Sequence, residues 1–262
     1  MPRLIISNGG PVTGSESTTM LQGSLYVIVF MLMITACNDI NDCFHGTGNT
    51  ATEFREAGAF KSIELSGNIN LRFRQDSTAA LKVTAGENLL DGIETRIENN
   101  TLFISNKNRC NWVRKFNTPI TVEVASTELN LLFIRDATGD VKFEDTLRVK
   151  DFRLDSFSGL GTYDLLLDVE SAVLAIHTGP SDLKVAGRAG YVINYQLGYG
   201  KNDCERLLTD YTIAVNKGTN DLRVNAGNRL DVKLEGTGDI YYAGDPVELN
   251  KQVSGKGKLI KL

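Results

Sequence analysis

The sequence predicts an all-β fold: a parallel β-helix-like solenoid with coils of about 20 residues, preceded by a smaller N-terminal region of strands. The first observation is a series of glycine-containing turns which, taking one glycine per turn, stand at positions 139, 159, 179, 198, 218, 238 and 257. The steps between them are 20, 20, 19, 20, 20 and 19 residues, a fixed period typical of solenoids. The second observation is that each turn is followed by a short run of mostly alternating apolar and polar residues, which indicates half-buried strands.

Residues 58–126 are predicted to form the strand region, packed on the solenoid or continuous with it. Alternation predicts strands over 60–65 and 69–74, joined by a turn at Gly67-Asn68. Residues 87–91 are predicted to form one helical turn. Asn99-Asn100 is predicted to be the tight turn of an antiparallel hairpin, because asparagine tolerates positive φ.

Residues 127–262 are predicted to form the coils, each with one strand before its glycine and one after it. Stacking supplies a core that a single coil cannot form. The corner glycines are expected to supply a φ that β-branched residues resist. The repeat Gly198 to Arg206 is the most polar, so we expect a bulge there, with Leu207 and Leu208 restoring the core. The lysines of the last strand, residues 256–262, should deter pairing at an open edge.

The first 36 residues are predicted to be a signal peptide of the lipoprotein type. Leu25 to Ile34 is an uncharged apolar run, too short to span a bilayer comfortably and suited to a signal-peptide core. It leads into Ile34 to Cys37, which resembles a lipobox, so Cys37 is the expected lipidation site. The alternative is an ordinary secretory signal, and Met20 is an alternative start. Residues 37–57 are polar and are predicted to be a tether between the lipid and the fold.

The composition of the chain argues against some classes of binding partner and metal site. The 262 residues carry a net charge of −4, which argues against a nucleic-acid partner. Two histidines leave little material for a histidine-rich metal site, and the cysteines have no zinc-binding spacing. After Cys37, one disulfide is compatible with an oxidising compartment, and the pairing stays open among Cys43, Cys110 and Cys204.

The segment from Asn106 to Thr118 combines aromatic and basic residues without an acid. Rigid β scaffolds commonly carry recognition on such loops, where rings stack on flat ligands and cations hold acidic groups. The candidate binding residues are Trp112, Arg114, Lys115 and Phe116. The alternative is a long connection in which Trp112 covers one end of the core.

The order of the turns is similar to that of a known family. Phe60 to Ile63, the turn at Gly67-Asn68, the segment from Gly86 to Leu90, and the closing run from Gly238 to Pro246 together resemble the head GIN domain family of adhesin-like bacterial lipoproteins. The resemblance covers about Phe60 to Leu262. It implies a right-handed β-helix-like fold and a location in the cell envelope. It implies no reaction.

The sequence also contains a row of acidic residues, and some β-helix proteins are polysaccharide lyases or hydrolases. We therefore also consider an enzymatic function. The residues are Asp164, Asp182, Asp203, Asp221 and Asp239. Aspartate next to glycine is typical of turns in which the side chain binds its own backbone, and recurrence in nearly every coil favours that structural role. His177 is likewise interpreted as structural.

We therefore expect a non-catalytic envelope lipoprotein, an adhesin or binding module for glycan or protein, without a cofactor or metal, in contact with the membrane through its lipid. It would lie at the outer membrane, facing the periplasm or the exterior. The alternatives are a carbohydrate-active enzyme that uses the aspartate-rich corner, and a purely structural envelope protein. A carboxylate cluster in a cleft would favour the enzyme, and a flat face with stacked aromatic rings would favour binding.

Overall fold

The computed structural model describes residues 46–108 and 119–262. These residues form 17 strands and one 3-10 helix, Glu87–Gly92. The strands are β1 Thr50–Arg55, β2 Ser62–Gly67, β3 Asn70–Gln75, β4 Ala80–Gly86, β5 Ile93–Glu98, β6 Thr101–Asn106, β7 Thr121–Ser126, β8 Leu131–Ala137, β9 Val141–Phe143, β10 Leu147–Phe157, β11 Thr162–Ile176, β12 Asp182–Gln196, β13 Asn202–Asn216, β14 Leu222–Leu234, β15 Ile240–Ala243, β16 Glu248–Val253 and β17 Leu259–Lys261.

The described strands join in one hydrogen-bonded sheet that winds into a solenoid of about seven turns, roughly 20 residues apart. The predicted all-β solenoid is therefore confirmed. Most neighbouring strands are parallel, as stacked coils require. The antiparallel pairs lie near the N-terminal end, where β4 separates β1 from β7 and where β5 pairs with β6. Strands β2 and β3 pair in parallel with β8 and β9, so the N-terminal strands continue the solenoid.

Each long strand contributes to three faces of the solenoid, which we number in the order in which the chain crosses them. In β11 and β12 the pair Tyr163 and Leu183 lies on the first face, Leu167 and Gly187 on the second, and Leu174 and Asn194 on the third. The third face is formed by β6, β2, β8, the ends of β10 to β14, and β16.

Apolar side chains at alternate positions of each face point inward and stack from coil to coil. Leu71, Val141, Tyr163 and Leu183 form one such column, and each is at most 1 % exposed. Burying an aliphatic side chain of this size contributes about 1.5–3 kcal/mol to the hydrophobic stabilisation. Stacked columns of this kind therefore provide the main favourable contribution to folding.

A polar layer divides the interior between the larger core cluster and the smaller one formed by β13 to β15. Asn194, Gln196, Asn202 and Asn216 are each at most 1 % exposed. Asn202 donates from Nδ2 to Oδ1 of Asn194 at 2.6 Å, and Gln196 donates from Nε2 to the carbonyl of Gly200 at 2.7 Å. This layer explains part of the polarity of the repeat around residues 198–206: Asn202 is hydrogen-bonded inside the solenoid, whereas Lys201 and Arg206 point to solvent.

The corner glycines are needed mainly because the coils approach closely, which corrects the expectation about φ. Of the seven glycines in the periodic series, all of them in the described chain, Gly179 alone has a positive φ, 93°. Elsewhere in the series the constraint is steric: a Cβ on Gly238 would lie 2.0 Å from the carbonyl oxygen of Asn220, and one on Gly257 would lie 2.2 Å from that of Gly238. The period therefore records backbone contact between successive coils.

Several local predictions can be checked directly. Asn99 and Asn100 have φ values of 48° and 65° between β5 and β6, so the predicted hairpin is confirmed, as is the helical turn at 87–91. The register of β12 against β13 shifts at the expected bulge. Leu207 is buried, but the prediction for Leu208 was wrong: it is 51 % exposed, because alternation turns it outward on the second face.

Candidate functional site

The residues predicted for lipidation and for the binding loop, Cys37 and Trp112, Arg114, Lys115 and Phe116, lie outside the described residues. The strands on either side of 109–118 are described. β6 belongs to the third face and β7 to the first, so these strands meet at the corner where the other coils carry their glycines. The segment thus links β6 to β7 across this corner.

Most side chains of the aspartate row accept a hydrogen bond from a backbone N–H of the next coil. Oδ1 of Asp182 accepts from the backbone N–H of Lys201 at 2.8 Å, and Oδ1 of Asp221 accepts from that of Asp239 at 3.1 Å. Asp239 in turn accepts from Lys258 at 2.7 Å. For these three residues the predicted turn within one coil is corrected to a cap between coils, whereas Asp203 makes the predicted bond and accepts from the N–H of Glu205 at 3.2 Å. Asp164 does not belong to this row, because it lies in register with Lys142 and Lys184 on the first face.

The three faces differ in their outward residues. The first face carries charges in register, with Arg72 beside Lys142 and then Asp164 beside Lys184. The second face is also charged, and Arg148 lies 3.6 Å from Asp168. The third face is the exception, because its middle coils present aromatic and aliphatic side chains to solvent.

Four rings follow one another along the third face and form what we term the aromatic row. The rings of Phe133 and Phe157 have centroids 5.6 Å apart, those of Phe157 and His177 4.2 Å, and those of His177 and Tyr195 5.6 Å. Phe157 is 38 % exposed. Arg135 lies over the ring of Phe133 at 5.0 Å from its centroid, a cation–π contact at the first ring of the row.

Aliphatic and tyrosine side chains continue the aromatic row into a broader surface. Val173, Ile193 and Ile213 are in register on β11, β12 and β13, and each is partly exposed. Tyr191 and Tyr211 lie beside them with ring centroids 5.1 Å apart. We define the third-face patch as Phe157, Val173, Ala175, His177, Tyr191, Ile193, Tyr195, Tyr211, Ile213 and Val215. An apolar surface that extends over several coils is typical of an interaction site.

A charged cluster borders the patch at β10. Nε2 of His177 lies 2.9 Å from Oδ1 of Asp155. Nη2 of Arg153 donates to the same oxygen at 3.0 Å. Burial acts to raise the pKa of Asp155, but the hydrogen bonds from Arg153 and His177 outweigh it and hold this pKa below its ordinary value. Asp155 therefore stays ionised and fixes the position of the His177 ring.

A second charged cluster borders the patch at β14. Arg229 donates to Asp231 at 2.9 Å, and the hydroxyl of Tyr211 donates to the same carboxylate at 2.5 Å. The bond from Arg229, supported by those from Tyr211 and Asn250, lowers the pKa of Asp231 to about 2. Next to this cluster is an open hollow of about 490 Å³, lined in part by Ile213, Arg229, Asp231 and Asn250.

The described part of the chain contains no group of three or more histidine, cysteine, aspartate or glutamate side chains placed to hold a metal ion. Within the same ranges, no helix has the length and apolar character that crossing a membrane requires. Asp182, Asp221 and Asp239 each accept a backbone N–H of the next coil, and Asp203 accepts that of Glu205 in its own strand.

The comparisons with known proteins agree with this geometry. The model of the family described as "Putative auto-transporter adhesin, head GIN domain" matches residues 59–246. The chain belongs to the head GIN domain family. The resemblance seen in the sequence is therefore confirmed, over nearly all of the solenoid.

Solved structures show the same fold. A putative adhesin from Bacteroides fragilis has a TM-score of 0.78 at 21% identity, and the match covers 83% of this chain and 100% of that one. A putative adhesin from Parabacteroides merdae matches with a TM-score of 0.60 at 18% identity over 83% and 98% of the two chains. A putative lipid binding protein from Parabacteroides distasonis matches at 0.61 and 19% identity over 82% and 97%. No curated protein matches the chain.

The residues of the third-face patch were missed at the level of sequence. Their signal is a period of about one coil at outward positions: Val173, Ile193 and Ile213, and also Tyr191 and Tyr211, recur 20 residues apart. Once the strands are in register, apolar residues at these positions cannot face the core. In a head GIN domain, outward apolar residues that repeat with the coil thus mark a candidate surface.

Proposed function

We propose that this protein is a non-catalytic, adhesin-like binding protein of the bacterial cell envelope and that it binds its ligand, glycan or protein, through the third-face patch. The observation that supports this proposal is the flat face with contacting aromatic rings, Phe133, Phe157, His177 and Tyr195, on a solenoid whose other faces are charged. Rings and aliphatic side chains on a rigid sheet offer contact area at a low cost in conformational entropy.

The enzyme alternative receives less support from the geometry. A polysaccharide lyase or hydrolase needs carboxylates or a basic group that converge on the substrate. Asp182, Asp221 and Asp239 instead each accept a backbone N–H of the following coil. This arrangement favours a structural role for the aspartate row.

The anchor of the proposed envelope protein is Cys37. Several acyl chains on one cysteine hold a protein at a membrane firmly, whereas a single chain gives only marginal binding. Labelled palmitate should enter the wild-type chain and should be absent from Cys37→Ala. Equal labelling of the two proteins would exclude this anchor.

The binding function is tested by retention on glycans, on extracted envelope proteins and on lipid vesicles, with release of soluble product scored in the same assay. Tyr195→Ala should lower retention at least tenfold, because it removes a ring from the aromatic row. Tyr199→Ala is the matched control, since Tyr199 is 65 % exposed at a corner outside the patch.

Equal retention of both tyrosine variants would contradict a role for the third face. Product release that disappears in Asp182→Asn or Asp221→Asn would replace the binding function by the enzyme. Retention on vesicles alone would assign a lipid ligand, the class named for the Parabacteroides distasonis protein.

A further inference from the structure

We propose that the partner of the third-face patch is a second copy of this chain, docked face to face with its solenoid axis antiparallel to the first. This inference rests on the proposed function, because it names the ligand of the same surface. It is carried by a charge pattern that makes the surface complementary to itself.

The outward residues of the third face form columns in register across β10 to β14. One column is Arg153, Val173, Ile193, Ile213, Asp231. The next is Asp151, Ser171, Tyr191, Tyr211, Arg229. Each column begins and ends with opposite charges and is uncharged between them, and the two columns carry these charges in opposite order.

A two-fold axis along the third-face segment of β12 matches these charges. Rotation about it leaves each column opposite the same column of the second copy and exchanges β10 with β14. Asp151 then lies opposite Arg229 of the second copy, and Arg153 lies opposite its Asp231. Within one copy Arg153 already pairs with Asp155, and Arg229 with Asp231, so the contacts between copies extend these ion pairs and act mainly on register. Both contacts occur twice in the dimer.

The uncharged positions are also complementary under this rotation. Ser171 of β11 lies opposite Tyr211 of the second copy, so a small side chain meets a larger one there. Ile193 lies on the axis and meets its own copy. The strands of the two copies run in the same direction, which agrees with the aligned packing of two β-sheets.

The size of the surface indicates reversible association. Five coils span about 20 Å at the strand spacing, and the outward residues of one strand span about 20 Å, which gives roughly 400 Å² of projected area on each copy. An interface of this area belongs to the small, transient class, so the dissociation constant should be micromolar or weaker. Many copies on one membrane would raise the local concentration and so favour the dimer.

Sedimentation equilibrium of the full chain, from low micromolar to millimolar concentration, tests the association. The wild type should shift from monomer to dimer, and Ile193→Asp should weaken the dimer at least tenfold by placing two carboxylates on the axis. Leu208→Asp is the matched control, because Leu208 is 51 % exposed on the second face. A wild type that stays monomeric throughout would overturn the proposal.

Charge exchange tests the register. Asp151→Lys and Arg229→Glu should each weaken the homodimer, because each places like charges opposite one another twice. An equal mixture of the two variants should restore the dimer, since Lys then meets Glu and Arg meets Asp. A mixture as weak as the separate variants, with melting curves that show both are folded, would overturn the antiparallel arrangement.

A cross-link tests the axis directly. A bifunctional thiol reagent that spans about 10 Å, the spacing of two packed sheets, should join Ile193→Cys to its copy and should not join Leu208→Cys. A dimer that this reagent leaves unlinked at position 193 would contradict an axis on β12. If Ile193→Asp abolishes surface retention while the wild type remains monomeric, the patch binds a glycan or another protein: the proposed function then stands and the second copy fails.

Discussion

The imidazole of His177 lies parallel to the phenyl ring of Phe157, with centroids 4.2 Å apart and planes 4° from parallel. The same imidazole meets Asp155 through Nε2, so its plane is fixed by a stacking contact and by a hydrogen bond. Because Arg153 donates to both oxygens of this carboxylate, these four residues form one rigid unit at the border of the third-face patch. The stability of this unit depends on the charge of Asp155.

The pH dependence of unfolding should therefore include Asp155. Its pKa is lowered in the folded chain, so its carboxylate stabilises the fold above the unfolded pKa of about 3.9, and this contribution is lost as pH falls through the lower folded value. We expect Asp155→Asn to lower the free energy of unfolding by about 2 kcal/mol at neutral pH, as loss of a charged hydrogen-bonding group does. As pH falls through the lowered folded pKa, the difference from the wild type should shrink.

Urea unfolding at neutral pH and in acid measures this effect. Asp210→Asn is the control, because Asp210 is exposed on the second face. A constant difference between Asp155→Asn and the wild type across this range would show that the loss is steric and that the carboxylate charge does not contribute.

Because the coils stack closely, we expect that replacing a corner glycine even by alanine destabilises the fold. In Gly200→Ala the new Cβ would lie 1.8 Å from the carbonyl oxygen of Ser181, so the backbone of one coil must move. Overpacking of this kind costs about 1–3 kcal/mol, and more where the obstacle is backbone. Gly58→Ala is the matched control, since its nearest contact would be 3.5 Å from Ile97. Equal melting temperatures for the two variants would show that the coils can separate freely.

The sequence was sufficient for the period and the turn chemistry of the fold. Glycines repeat because the carbonyl of one coil occupies the space of the next Cβ, and Asn99-Asn100 closes its hairpin with local φ values, so both signals are local in sequence. The structural role of the aspartate row was predictable, but the partner of Asp182 was not, because its cap on Lys201 becomes visible only when coils are in register. For the same reason the sequence could not assign the direction of Leu208.

The polar layer predicts that removing the side chain of one of its buried asparagines destabilises the fold. Nδ2 of Asn216 donates to the carbonyls of Asn220 and Gly238, at 3.0 and 3.2 Å, and Oδ1 accepts from the N–H of Gly218 at 2.9 Å. Asn216→Ala would leave these backbone groups buried without a partner, at about 1–3 kcal/mol for each group that water cannot reach. We expect a lower melting temperature with unchanged circular dichroism at room temperature. Asn130→Ala, at an exposed hydrogen bond to Asp151, should change the melting temperature little.

Cys204 should be chemically inert in the folded chain. It is a free thiol, 2 % exposed, and burial raises its pKa, so little reactive thiolate forms. In a chain with Cys37, Cys43 and Cys110 changed to serine, a thiol reagent should modify Cys204 only as fast as the protein unfolds. Modification at the rate of a free thiol would show that the polar layer opens in the native state.

The candidate site was less predictable than the fold. The sequence search favoured residues that gather locally, such as the segment from Asn106 to Thr118, whereas Phe133, Phe157, His177 and Tyr195 come from four different coils. Their contact depends on register and on which side of the strand faces solvent. Neither property can be predicted from a single stretch of sequence.

The segment with Trp112 gives the last prediction, and it lies outside the described residues. We propose that it adds a second contact surface, in which Trp112 stacks on a ligand while Arg114 and Lys115 meet its anionic groups. Trp112→Ala should then lower surface adhesion and leave the melting temperature nearly unchanged, and adhesion should weaken as salt screens the two cations. If Trp112 instead covers one end of the core, the same variant loses about 3–5 kcal/mol of stability, as truncation of a buried aromatic residue does. A thermal melt beside the adhesion assay separates the two cases, and Arg114→Ala, which removes charge and spares the ring, should reduce only the salt-dependent part of adhesion.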